Sequence, residues 1–167
     1  MKKIIVIGCP GSGKSYFSRA LRDALNLPLH HLDNIYHRPD KTTLPREEFD
    51  SALSKLLAKD EWIIDGNYKR TLKTRIEACD TVFLFDLPVE ECLRGVTERI
   101  GKPRDDMPWV ETELDAEFKK FIEEFPTATL PYVCELLSGV SGKEVTVFKS
   151  REESESFIKR LKQNFQE

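Results

Sequence analysis

The stretch Gly8-Cys9-Pro10-Gly11-Ser12-Gly13-Lys14-Ser15 constrains this chain more than any other. Its two outer glycines, followed at once by a lysine and a hydroxyl residue, have the spacing of a phosphate-binding P-loop. The flanks fit. Lys3-Ile4-Ile5-Val6-Ile7 is a short β-branched run of the kind that forms a buried parallel strand. From Lys14 to about Asn26 the apolar residues recur at helical spacing. Strand, glycine loop and helix together make an anion trap. Gly11 and Gly13 let the backbone curl and aim N–H groups inward, and the helix start adds the positive end of its dipole. Lys14 then neutralises the β- and γ-phosphates while the Ser15 hydroxyl ligates Mg²⁺. The expectation is an ATP site built from Gly8, Cys9, Pro10, Gly11, Ser12, Gly13, Lys14, Ser15 and Tyr16, with Mg²⁺ as the accompanying ion.

Composition narrows the partners. The 167 residues suit a single domain, 1–167. Twenty-six basic residues face twenty-nine acidic ones, for a net charge of −3, so there is no electrostatic footprint for nucleic acid and direct DNA contact is not expected. The four cysteines form no CxxC pair, which beside a nucleotide motif reads as reduced thiols and a cytoplasmic location. Cys9 is either a thiol made acidic by the helix dipole or a small filler residue. Lys2 and Lys3 precede an apolar run of only about five residues, too short for a signal peptide. Nothing approaches the roughly 18 apolar residues of a membrane span. With no sustained heptad, a monomer or weak dimer is expected.

Along the chain, strands alternate with helices. Strands are expected at Pro28–Asp33, Trp62–Asp65, Thr81–Asp86 and Glu144–Phe148. Asn34–Leu44 reads as a loop. Helices are expected from Pro45 to Lys59, Arg70 to Cys79, Pro88 to Ile100, Trp109 to Glu124 and Tyr132 to Leu137, with Pro126 and Pro131 bracketing a break. Ser150 and Glu153 form a capping box for a last helix carrying Phe157, Ile158, Leu161 and Phe165 inward. Nearly unbroken apolar strands predict a parallel sheet with helices on both faces and a site at the strands' carboxyl ends.

At those ends lie the candidate acids. Asp33 is placed to accept a proton from a substrate hydroxyl or to hold cation-bound water; the alternative is a capping or loop carboxylate. Asp65, closing Trp62-Ile63-Ile64, has the form of a metal-shell aspartate, or of a turn residue before Gly66. Asp86 is explained by helix entry. Arg94, Arg99 and Arg104 surround Gly101-Lys102-Pro103 and read as a short arginine-rich lid over about 99–109, closing on the transferred phosphoryl. Their alternative is a solvated face paired with Glu90, Glu91 and Glu98. Arg70 and Arg75 could hold an acidic acceptor such as a nucleoside monophosphate. His30 and His31 point to opposite sides of a strand, so one is core and one pocket wall. Tyr36 and Trp109 are packing or base-stacking residues.

Two resemblances follow. The P-loop and Asp65-Gly66-Asn67-Tyr68-Lys69-Arg70 resemble the adenylate-kinase-like branch of P-loop kinases, whose members carry Asp-Gly-Phe-Pro-Arg; here Asn67-Tyr68 replaces Phe-Pro and the arginine sits one position later. His31-Leu32-Asp33, Trp62 to Tyr68 and Arg94 to Met107 are similar to the DNA topology modulation proteins over nearly the whole chain. These resemblances imply a three-layer P-loop NTPase fold, a five-stranded parallel sheet of order 2-3-1-4-5 and, in some adenylate-kinase-like members, a long lid. Here the segment between Arg99 and Trp109 is too short for a lid domain with its own zinc site and holds no cysteine, so no zinc is expected. The resemblances also imply transfer of the γ-phosphoryl of Mg-ATP to a small acceptor, such as a nucleoside monophosphate. Asp33-Asn34-Ile35-Tyr36 resembles the Asp-x-Phe-Tyr of uridine-kinase-like enzymes, which implies a hydroxyl acceptor with Asp33 as base. A nucleotide-binding regulator linked to DNA topology is the reading from a different class.

Overall fold

A computed structural model describes residues 1–164. Five parallel strands, β1 (Lys3–Gly8), β2 (Leu29–His31), β3 (Trp62–Asp65), β4 (Thr81–Phe85) and β5 (Glu144–Phe148), form one sheet in the order β2-β3-β1-β4-β5. The expected α/β order is therefore present. β1 pairs on both sides, Ile5 lying opposite Ile64 of β3 and Val82 of β4.

Period-two alternation divides these strands between two cores. Ile4, Val6, Ile63, Phe83 and Phe85 face one way. They pack under α1 (Lys14–Leu25), α5 (Val89–Arg99) and α8 (Arg151–Asn164), through Phe17, Leu21, Cys92, Val96, Ile158 and Leu161. Ile5, Ile7, Trp62, Ile64, Val82 and Leu84 face the other way. There they meet α3 (Arg46–Leu57), α4 (Lys69–Ala78) and α7 (Leu130–Ser138), through Phe49, Leu53, Leu72, Ile76 and Val133. Only β1, β3 and β4 are buried on both faces; β5, at the edge, leaves Val145 and Val147 exposed. No helix among the described residues is long and apolar enough to cross a membrane.

Three boundaries differ from the sequence reading. β2 ends at His31, and Asp33 sits in the first turn of a short helix, α2 (Leu32–Tyr36), inside what reads as strand and loop. The helix expected from Trp109 starts only at α6 (Ala116–Glu124), because the Asp115 side chain accepts from Phe118 N at 2.9 Å and caps it there. The preceding segment is a loop, closed where Gly101 N–H donates to Glu111 O at 2.7 Å. Gly101 has φ +75°, which a side chain would resist. Pro126 and Pro131 do not break the chain. Each sits in the first turn of its segment, where no N–H is needed, and a π-helical turn (Phe125–Thr129) carries α6 into α7. The Ser150 hydroxyl accepts from Glu153 N at 3.2 Å as expected, but Glu153 reaches back to Lys149 N–H rather than to Ser150. Phe165 lies outside the described residues.

The P-loop is clamped against α5 backbone to backbone. A Cβ on Gly95 would lie 2.1 Å from Gly11 O, and one on Gly11 2.1 Å from Cys92 O. Both neighbours are main-chain atoms and cannot swing aside. Gly95→Ala is therefore expected to cost about 1–3 kcal/mol of stability, the usual penalty for overpacking, with weaker nucleotide binding. Urea denaturation and an ATP titration on the same variant check both effects.

Candidate active site

The loop after β1 curls through Gly8, Gly11 and Gly13, all at positive φ. Gly8 N–H donates to Asn67 Oδ1 at 3.0 Å, which ties the loop to the segment after β3. Lys14 Nζ arches back to Cys9 O at 3.1 Å, and Arg151 Nη2 donates to Gly11 O at 2.9 Å. Two cavities flank this cradle. The outer one, about 420 Å³, is lined by Gly13, Tyr16, Arg19, Lys102 and Arg151 among others. The inner one, about 330 Å³, is lined by His31, Asp33, His37, Asp65, Tyr68 and Phe118 among others. Lys14, Ser15, Arg99, Arg104 and Asp106 line both, so the two cavities meet along a shared set of cationic and acidic groups.

The carboxylates lie where strands β2 and β3 end. Asp33 faces the inner cavity and accepts from Tyr68 Oη at 2.7 Å. Burial pushes its carboxyl above the ordinary range, aided by the Asp65 charge and opposed by the Tyr68 hydrogen bond. Removing that donor raises the carboxyl further. Tyr68→Phe is thus expected to raise the Asp33 carboxyl above its position in the wild type, measured by an NMR titration of the side-chain carboxyl. Asp65 Oδ2 accepts from Ser15 Oγ at 2.8 Å and lies 2.8 Å from His31 Nδ1. Asp106 Oδ2, from the loop that reads as lid, lies 2.6 Å from the same Ser15 Oγ. Burial would raise its carboxyl, but the Ser15 hydroxyl, Arg104 and His31 outweigh burial and hold it below the ordinary range.

The arginines divide. Arg99 and Arg104 converge on Glu111 Oε2, at 3.2 and 3.1 Å, and Arg104 also reaches Asp106 at 3.3 Å. Both line the junction of the cavities, and Asn34 Nδ2 anchors the loop after α5 by donating to Asp105 O at 2.6 Å. Arg94 differs from the expectation. It is exposed on α5, lines neither cavity, and stands near Glu152. The two arginines expected at an acceptor phosphate are also elsewhere. Arg70 pairs bidentately with Asp50 at the exposed surface, at 2.6 and 2.9 Å. Arg75 is fully buried, with no acid partner among the described residues. It donates to the carbonyls of Gly66 (2.8 Å), Asn67 and Tyr68 (3.2 Å), and burial pushes its guanidinium down to about 10. It fixes the loop that carries Asn67 to the P-loop and Tyr68 to Asp33.

Cys9 is a buried filler. Contact with the Cys92 thiol and burial push its thiol up, against the lowering expected from the helix start. Tyr16 lines the outer cavity with 65% of its surface exposed. Tyr36 packs on Phe49 and Tyr68, and Trp109 sits edge-on to His37 at the lid. His31 is the pocket wall, and His30 is half-buried beside it. The residues that sequence reasoning missed are Asn67, Tyr68, Gly95, Asp106, Glu111 and Arg151. Asp106 and Glu111 stand in the charged stretch around Pro108, where an acid beside the lid arginines was the available signal.

In sequence, the chain matches no family model and no curated protein. In structure it is similar to the shikimate kinase of Bacteroides thetaiotaomicron, with a TM-score of 0.62 at 16% identity over 98% of each chain. It is also similar to the Acinetobacter baumannii shikimate kinase in complex with shikimate, with a TM-score of 0.65 at 14% identity over 99% of this chain and 93% of that one. A gluconokinase from Sinorhizobium meliloti 1021 gives 0.54 at 14% identity, over 98% and 95%. These likenesses establish the fold: a three-layer P-loop kinase fold with the sheet order 2-3-1-4-5.

Proposed function

We propose that the chain is a small-molecule kinase that moves the γ-phosphoryl of Mg-ATP from the outer cavity to a hydroxyl of an acceptor in the inner one. The observation that carries this reading is the junction of the two cavities along Lys14, Ser15, Arg99, Arg104 and Asp106, with Asp33 on the inner side only. Asp33 takes the hydroxyl proton as the new O–P bond forms and the bond to the β-phosphate oxygen breaks, leaving ADP. Lys14, Arg99 and Arg104 face the place where charge spreads over the transferred group. A divalent cation held there would supply charge neutralisation at the phosphates. Its donors would be Ser15 and Asp65, with His31 and Asp106 within reach. Oxygen donors flanked by one imidazole suit such an ion.

A nucleoside monophosphate acceptor is less well served, because Arg70 and Arg75 are committed to Asp50 and to backbone carbonyls. The inner cavity's volume and its wall of His37, Met107, Phe118 and Phe121 suit a ring-sized alcohol. The finer resemblance to the DNA topology modulation proteins names no acceptor.

The test is a transfer screen with labelled Mg-ATP against nucleosides, nucleoside monophosphates, sugars, shikimate and gluconate, with Lys14→Ala alongside. Transfer to a hydroxyl compound, lost in Asp33→Asn, is the expected outcome. Transfer to monophosphates alone would move the reading to the adenylate-kinase-like class. ATP binding with no acceptor used above the Lys14→Ala background would move it to a nucleotide-binding regulator.

A further inference from the structure

Ser15, His31, Asp65 and Asp106 come from four separate segments: the first turn of α1, the end of β2, the end of β3 and the lid. His31, Asp65 and Asp106 place one donor atom each within 4.8 Å of one another. Ser15 Oγ stands between the two carboxylates, at 2.8 Å from Asp65 Oδ2 and 2.6 Å from Asp106 Oδ2, and His31 Nδ1 is 2.8 Å from Asp65 Oδ2. An octahedral ion with bonds of about 2.1 Å sets neighbouring ligand atoms about 3.0 Å apart and opposite ones about 4.2 Å apart. The observed separations fall close to that frame.

Proton counting points the same way. A hydroxyl carries one proton, so Ser15 can donate to Asp65 or to Asp106 but not to both. A proton on His31 Nδ1 covers its own contact with Asp65. One approach of the Ser15 oxygen to a carboxylate oxygen is left with lone pairs on both sides, which a shared cation would satisfy. Arg104 Nη1, at 3.3 Å from Asp106, supplies charge but does not lie between the carboxylates and Ser15.

We infer that Asp106 is the lid's own ligand for the divalent cation, and that with Ser15, His31 and Asp65 it forms a four-donor site that holds such an ion before nucleotide binds. The inference deepens the kinase reading and rests on it for the ion's place beside the phosphates. Its consequence is mechanical. The lid is tied to the body by Asn34 to Asp105 and by Trp109 against His37, and Asp106 lies directly between these two ties. A cation on Asp106 would therefore fix this loop over the cradle, adding to the Ser15 hydrogen bond that ties Asp106 to α1 without it. An imidazole among the donors makes Mn²⁺, which also accepts carboxylates, the probe of choice.

The experiment titrates the nucleotide-free full chain with Mn²⁺ alone, following free Mn²⁺ by electron paramagnetic resonance and the lid by tryptophan emission. Trp62 is fully buried in β3, so a change in emission reports Trp109. The expected result is one Mn²⁺ per chain, with affinity at least about tenfold weaker in Asp106→Asn and in His31→Gln. Emission should change on binding in the wild type but not in Asp106→Asn at saturating Mn²⁺. Asp106→Asn is near-isosteric in a loop, and a thermal melt confirms that it folds. Absence of Mn²⁺ binding without nucleotide, or equal affinity in Asp106→Asn, overturns the inference. Lys14→Met separates this from the kinase reading. It should abolish transfer yet bind Mn²⁺ as the wild type does, because Lys14 is not one of the donors. Asp106-dependent Mn²⁺ binding without any acceptor would retain the cation site and remove the kinase. Transfer with Asp106-independent Mn²⁺ binding would do the reverse.

Discussion

Lys14→Met is expected to lower phosphoryl transfer by about 10³-fold, in the range for loss of one charged donor aimed at the transition state. The substitution keeps an unbranched stem and removes only the ammonium. That stem is buried at the start of α1, and Nζ has Cys9 O as its hydrogen-bond partner at 3.1 Å. The carbonyl is a poor reason to bury a cation; the junction of the two cavities beside it is a better one. Burying a charge with a single neutral partner is costly, so its removal should leave stability unchanged or raised. The combined expectation is a variant that melts no lower than the wild type, binds ATP more weakly, and has lost turnover. Thermal melts, an ATP titration and the transfer assay check the three parts. A Lys14→Met protein that retained transfer would place the phosphates elsewhere and undo the reading of both cavities. A variant that unfolded instead would give Lys14 a structural role that its contacts do not suggest.

The contrast between Lys14 and the lid shows what was legible in the sequence. The P-loop could be read because its chemistry is local: a few consecutive residues supply the turn, the donors and the helix start. The sheet could be read because β1, β3 and β4 are continuous apolar runs, buried on both faces. Asp33 and Asp65 stand out in the sequence because each closes a run that reads as a parallel strand. Asp65 does end β3, whereas Asp33 lies two residues past β2, in α2. What remained hidden depends on contacts across the chain. Asp106 meets Ser15 over 91 positions, and Asn67 meets the Gly8 N–H over 59. No periodicity encodes such pairs. The helical spacing from Trp109 onward was genuine but misleading. Val110 is exposed, and the acid at 111 serves Arg99 and Arg104 rather than a helix face. Arg70 and Arg75 read as acceptor ligands from their charge and their place after the Asp65 strand, and neither distinguishes a phosphate from Asp50 or from three carbonyls. Gly95 drew no attention because a lone glycine in a helix has no sequence context that reveals a neighbouring main chain 2.1 Å from its absent Cβ.

Asp33→Asn carries the second large effect, a fall of about 10²–10⁴-fold in transfer to a hydroxyl acceptor, the range for a lost general base. The geometry is kept, since the amide oxygen can still accept from Tyr68 Oη, now 2.7 Å from Asp33 Oδ1. What is lost is the site for the proton. The wild type should lose rate as pH falls through the raised Asp33 value, and the variant should lose that limb along with the rate. Stability should move the opposite way. A carboxyl raised by burial binds its proton more tightly in the folded chain than in the unfolded one, so its ionised form disfavours folding above the raised value. Asn removes that penalty. The variant should therefore be the more stable protein near neutral pH, with the difference shrinking as pH drops toward the ordinary carboxylate range, where both states are protonated. Rates and urea midpoints across one pH series test both halves. A large rate loss with unchanged pH dependence would make Asp33 a substrate-holding group rather than a base. Full activity on an acceptor would direct the search to a phosphate acceptor, which needs no base because its oxygen already attacks as an anion.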